Sequence, residues 1–190
     1  MQPDFWQLVR EDLNTHFGQY SQAGFHALLM YRIGVEGRRR SGLSGILLNT
    51  LYKASHIFVR NFYGIEIHAT STIGRRVRIA HQGPLVVHEF AAVGDDCILR
   101  NGVTIGAASG PYLEQAPTLG RSVDIGEKAA IIGKVTIGDF VKVGPHCVVM
   151  KSLPSGTTVC TQSPHVMHLA SAAAQIPNHP TEGSEYARAP

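Results

Sequence analysis

Residues 119–149 read LGRSVDIGEKAAIIGKVTIGDFVKVGPHCVV, and an aliphatic residue returns every six positions at Leu119, Ile125, Ile131, Ile137, Val143 and Val149. Glycine directly follows four of these, as Gly120, Gly126, Gly138 and Gly144. A period of six matches neither the 3.6 of an α-helix nor the 2 of a strand. It matches a chain that turns a corner every six residues, with the aliphatic side chain pointing inward and a small residue fitted into the turn. Three such sides close a triangular coil, and coils stack at about 4.8 Å, the spacing of hydrogen-bonded strands. The spacing therefore predicts a parallel β-helix.

Working outward, the same phase runs through Val87, Val93, Leu99 and Ile105, and before that through Ile67, Ile73 and Ile79. It breaks twice. Two residues are extra near His81-Gln82-Gly83-Pro84, and a longer insertion, roughly Ala107 to Pro117, follows Ile105. A regular solenoid has no packing reason to eject a loop, and loops on rigid scaffolds often carry function. Residues 1–62 lack the repeat. Asp4–Phe17, Gly24–Arg39 and Leu43–Arg60 are expected to form amphipathic helices punctuated by Gly18, Gly42 and Gly64. The expected organisation is a helical region at 1–62, a β-helix at 63–160 and a partly disordered tail at 161–190 that contains Pro177, Pro180, Gly183 and Pro190.

Composition narrows the function classes. Seventeen Lys and Arg against fourteen Asp and Glu give a net charge of +3, too little to argue for a nucleic-acid partner. The run Arg38-Arg39-Arg40 is read as a solvated helix end. The most apolar stretch, Leu43 to Val59, is interrupted by Asn49, Lys53 and His56, so no stable membrane insertion is expected. Cys97, Cys147 and Cys160 form no metal-ligand pair and are read as reduced thiols with structural roles, which with the lack of a signal peptide points to the cytoplasm.

With these motifs in view, the chain resembles the serine acetyltransferase branch of the hexapeptide-repeat acyltransferases over roughly residues 24–160. The resemblance rests on Gly24-Phe25-His26-Ala27-Leu28, Tyr31-Arg32-Ile33-Gly34, Glu66-Ile67-His68-Ala69, Ile79-Ala80-His81, Val86-Val87-His88-Glu89 and Gly102-Val103-Thr104-Ile105-Gly106. It implies a left-handed β-helix that assembles as a homotrimer with active sites between subunits, using acetyl-CoA as co-substrate and no metal. It also implies that His81 is the general base and that Glu66, where the family usually has Asp, orients it. The chemistry is coherent, because a hydroxyl needs a base near neutral pH, imidazole titrates there, and a carboxylate fixes its tautomer. His68 and His88 are read as rim or packing residues, and His146 as structural. For the coenzyme the resemblance points to Gly106, Ala107 and Ala108 at the start of the loop, to Gly126, and to Lys142 near the nucleotide end, with Lys128 and Lys134 on nearby coils.

The departures fall on the acceptor side. Ala80 replaces the family's usual Asp before the histidine, and Gln115-Ala116 replace an Arg-His pair in the loop. Asp12 is the candidate for the Asp that recognises the serine ammonium, with Glu89, Glu114 and Gln115 as further acceptor-binding candidates. The region before the repeat is shorter than in the cysteine-biosynthetic enzymes, and the closing Ala187-Arg188-Ala189-Pro190 lacks their partner-docking isoleucine. The expectation is therefore an O-acetyltransferase whose acceptor is a sugar or polysaccharide-precursor hydroxyl, as in capsule and exopolysaccharide relatives. True serine O-acetyltransferase, a γ-type carbonic anhydrase needing three zinc-binding histidines, and a non-catalytic scaffold are the alternatives.

Overall fold

The structure is a computed structural model that describes residues 3–108 and 114–162. Three helices lead into the β-helix: α1 (Phe5–Thr15), α2 (Ala23–Arg39) and α3 (Gly42–Tyr63). The Asp4 side chain accepts from the Gln7 backbone N–H at 2.7 Å and caps α1. Gly64 ends α3 in the left-handed region at φ +71°, a conformation that glycine adopts without strain. The next residue starts the first strand.

The strands then run in triplets around the coils: β1 (Ile65–Ile67), β2 (Thr72–Ile73) and β3 (Arg78–Ala80); β4 (Leu85–Val87), β5 (Ala92–Val93) and β6 (Ile98–Arg100); β7 (Thr104–Gly106), β8 (Thr118–Leu119) and β9 (Asp124–Ile125); β10 (Ala130–Ile132), β11 (Thr136–Ile137) and β12 (Lys142–Val143). β13 (Val148–Val149) and β14 (Thr158–Val159) close the stack. Every pairing is parallel, and the three faces are β1-β4-β7-β10-β13, β2-β5-β8-β11 and β3-β6-β9-β12-β14.

All thirteen aliphatic positions of the six-residue phase are buried, from Ile67 to Val149. A second inward column, two residues earlier, interleaves with them and includes Val77, Cys97, Val103, Val123, Ala129, Val141 and Cys147. The glycines after the inward residues answer to coil stacking. A Cβ on Gly94 would lie 2.4 Å from the Gly120 carbonyl oxygen of the next coil, closer than real contacts allow.

The helices are tied to the first coil by long-range hydrogen bonds. Tyr31 Oη donates to the Ser71 carbonyl at 2.9 Å and accepts from the Ile73 N–H at 3.0 Å. Arg32 donates to the Ile73 and Gly74 carbonyls at 2.9 and 2.6 Å. The expected helices are present, with α3 running three residues past Arg60 to Tyr63. The expected tail lies outside the described residues from 163 onward, as does the loop stretch 109–113.

Candidate functional site

The first phase break produces the local geometry that its sequence implied. Ile65 stacks on Leu85 and Val86 on Thr104, so the first coil is two residues longer than the second. The extra residues form the corner between β3 and β4. His81 stands in this corner, exposed, at φ +69°, a left-handed conformation that a side-chain-bearing residue adopts at some cost. Its side chain borders a cavity of about 270 Å³ whose other walls are His16, Phe17, Gln22, Arg78, Ile79 and Ala80.

His16, Phe17 and Gln22 bring the helical region into that cavity. The end of α1 docks on β3, and His16 is the clamp. Its Nδ1 lies 2.6 Å from the Asp12 carbonyl oxygen, which can only accept, so Nδ1 carries the hydrogen. Its Nε2 then accepts from the Ile79 backbone N–H at 3.3 Å. Burial lowers the His16 pKa, in keeping with a neutral ring held at both nitrogens. Gly24 completes the contact, because a Cβ there would meet the Ile79 carbonyl oxygen at 2.3 Å and His16 Nε2 at 2.7 Å.

The expected partnership of Glu66 with His81 is not formed in this structure. Glu66 accepts from His68 Nε2 at 3.1 Å instead. The reason is the strand period of two, which puts Glu66 and the residue two positions on along one side of the chain. Asp12 departs further from expectation. It is buried, and Arg32 grips it with two hydrogen bonds at 2.9 and 3.3 Å. Burial raises its carboxyl pKa, with the Arg32 guanidinium pulling the other way. A carboxylate so enclosed is not presented to an acceptor ammonium, which corrects the expectation for Asp12. Glu89, Glu114 and Gln115 are exposed and do not line the His81 cavity.

Gly126 and Lys142 come together. With Arg100, Asp124, Gly144 and Pro145 they line a cleft of about 380 Å³ on the face that also carries β3. Arg78, Ile98, Asp124 and Lys142 form one outward column on successive coils, so Lys142 lies three coil spacings, about 14 Å, from the level of the His81 corner, and Arg100, which pairs with Ala80, brings the near edge of the cleft within one. Gly106, Ala107 and Ala108 belong to a different face, at the end of β7. Among the described residues, no group of three or more His, Cys, Asp or Glu could hold a metal ion, and no helix is long and apolar enough to cross a membrane.

Sequence reasoning missed His16, which enters the site through the docking of α1 on a strand more than sixty residues away, and Arg78, which lies on that strand and reads in isolation as a surface arginine.

No protein-family model matches the chain. Named proteins do. It is 36% identical over 135 residues to a serine acetyltransferase of Helicobacter pylori, covering 71% of this chain and 75% of that one. It is 31% identical over 169 residues to the serine acetyltransferase of Bacillus subtilis, covering 82% and 74%. A putative colanic acid biosynthesis acetyltransferase of Escherichia coli is 33% identical over 129 residues, covering 68% and 79%. Among solved structures, soybean serine acetyltransferase superposes with a TM-score of 0.71 at 26% identity, covering 83% of this chain and 66% of that one. An Entamoeba histolytica serine acetyltransferase shares the fold with a TM-score of 0.70 at 24% identity, over 93% of this chain and 64% of that one. The chain thus spans about two thirds of the length of these solved chains.

Proposed function

Since this chain belongs to the serine acetyltransferase family of hexapeptide-repeat acyltransferases, we propose that it is an acetyl-CoA-dependent O-acetyltransferase with His81 as general base. The observation that carries this reading is the position of His81, at the corner made by the two inserted residues and at the rim of a cavity of about 270 Å³. In the reaction, imidazole takes the acceptor hydroxyl proton as the oxygen attacks the thioester carbonyl carbon. The tetrahedral intermediate then expels the thiolate, which recovers that proton from the imidazolium, giving the ester and free coenzyme A. Glu66, on the first coil, contributes negative charge toward the imidazolium. Its hydrogen bond to His81 would form in the acceptor complex, as catalytic hydrogen bonds often tighten only then.

Coenzyme A would lie along the β3-β6-β9-β12 face, its nucleotide end at Lys142 and Gly126 and its thioester reaching down to His81. Gly106, Ala107 and Ala108 sit on another face, so they would serve a site completed by a neighbouring subunit, as in a homotrimer.

For the acceptor, the names of the relatives favour L-serine over the sugar hydroxyl expected from sequence. The sugar reading keeps three supports: Asp12 is engaged by Arg32, Ala80 is apolar, and one relative is named for colanic acid biosynthesis. Purified protein with acetyl-CoA and a panel of L-serine, hexoses and hexuronic acids, read by free-thiol release, tests the function. Acetylation of L-serine with kcat/KM above about 10⁴ M⁻¹s⁻¹ is the expected result. Thiol release with none of them would refute the O-acetyltransferase assignment.

A further inference from the structure

The β-helix carries five arginines, and four of them face a carboxylate: Arg75 pairs with Glu11, Arg76 with Asp96 at 2.6 Å, Arg100 with Asp124, and Arg121 with Asp139 at 3.2 Å. Arg78 is the exception. Among the described residues no carboxylate lies within ion-pair distance of it, and its buried Nε–H has no hydrogen-bond partner. Asp96 on the next coil, which borders a surface pocket with Arg78, spends both oxygens on Arg76 at 2.6 and 2.8 Å. Leaving a charged donor desolvated and unmatched is unfavourable, and natural structures rarely do so without a ligand or water to satisfy it.

The surroundings of Arg78 look built rather than accidental. Phe17, held at φ +59°, lays its ring 5.5 Å from the Arg78 Cζ and so covers the guanidinium. A stacked guanidinium keeps its in-plane N–H groups free, and these match the two oxygens of a carboxylate. Arg78 also lines the same 270 Å³ cavity as His81, three residues further along the chain. Among the described residues no other arginine or lysine lines it, and the His16 ring nitrogens are both engaged.

We propose that Arg78 is a specificity-determining residue that binds a carboxylate of the acceptor, so that the hydroxyl acetylated at His81 belongs to a molecule that also carries a carboxylate. This rests on the O-acetyltransferase reading of the same cavity. It assigns to β3 a cationic contact with the acceptor, where the loop carries Gln115-Ala116 in place of the family's usual Arg-His pair. Two sources fit the chemistry, a β-hydroxy amino acid such as L-serine and a hexuronic acid.

The test is equilibrium binding in the presence of coenzyme A, which requires no turnover. Calorimetry would compare L-serine with L-serinamide and glucuronate with glucose, in the wild-type protein and in Arg78→Gln and Arg78→Lys. At least one carboxylate should bind tenfold or more tightly than its neutral counterpart. That preference should vanish in Arg78→Gln, return in part in Arg78→Lys, and leave coenzyme A affinity and the circular dichroism spectrum unchanged. Which acid binds identifies the source. Equal affinity within both pairs, no binding of either acid, or a preference that survives Arg78→Gln would overturn the proposal. Acetyl transfer to the carboxylate-bearing acceptor that is unaffected by Arg78→Gln would overturn it too, while leaving the O-acetyltransferase reading intact.

Discussion

The Ile79 backbone N–H donates to His16 Nε2 at 3.3 Å, and this bond joins the end of α1 to the strand that carries the candidate acceptor pocket. Ile79 itself points into the β-helix core, so its flanking residues Arg78 and Ala80 necessarily face outward, toward the helices. The pocket is therefore a product of docking, and its integrity depends on the same contacts that hold the helical region in place.

Gly24 should tolerate no side chain. A Cβ there would meet backbone, the Ile79 carbonyl oxygen at 2.3 Å, which cannot swing aside. Gly24→Ala is expected to cost about 2 kcal/mol or more by urea denaturation, within the range of overpacked sites. A loss below about 0.5 kcal/mol would mean that the helices do not dock on β3 this closely.

Stability should fall as the pH drops from 7.5 to 5.5. Burial depresses the His16 pKa, and burial followed by the charge of His68 depresses that of His56. A histidine whose folded pKa lies below the unfolded value of about 6.5 is fully stabilising above that value, and the contribution is lost as the pH falls toward the depressed one, at about 1.4 kcal/mol per pKa unit. Asp12, raised by burial, contributes a slope of the opposite sign, so a variant comparison is needed. His16→Gln should flatten the dependence of Tm on pH, and an unchanged slope would count against the neutral clamp.

Breaking the buried pair should be a stability lesion. Asp12 and Arg32 are both nearly inaccessible and hydrogen-bonded twice to each other. Removing one partner strands a buried charge, so Asp12→Ala is expected to cost about 3–5 kcal/mol. If Asp12→Ala instead folds normally and raises only the KM for an amino-acid acceptor, Asp12 is an acceptor residue after all.

The three thiols should separate cleanly. Cys97 and Cys147 point into the coil interior, and burial pushes the Cys97 thiol up to about 11, whereas Cys160 is exposed. A thiol reagent on the native protein should titrate one cysteine rapidly, and all three in denaturant. Rapid reaction of two or more would contradict the inward column.

The β-helix was legible because its core repeats. Ile125, Ile131 and Ile137 each sit in the same environment one side further on, and a periodic environment leaves a periodic sequence. Both phase breaks were legible for the same reason. Non-repeating contacts left no such trace. The Glu66–His68 hydrogen bond follows from the strand period, yet the family resemblance drew Glu66 toward His81. The Asp12–Arg32 pair and the cover of His16 and Phe17 over β3 depend on how α1 and α2 settle on the first coil, across twenty to more than sixty residues of sequence. No local pattern encodes that distance. Arg78 in isolation reads as one of many surface arginines, and only the carboxylate partners of its neighbours make its lack of one informative.

The central claim is that His81 removes the acceptor proton. The direct measurement is kcat for acetyl transfer from acetyl-CoA to the best acceptor of the panel, in the wild-type protein and in His81→Ala, with coenzyme A affinity and thermal unfolding measured alongside. General-base loss should lower kcat about 10²–10⁴-fold, with coenzyme A binding and Tm unchanged, because the side chain is exposed and lies outside the coenzyme cleft. A folded His81→Ala protein that keeps more than about a tenth of wild-type kcat would contradict the account.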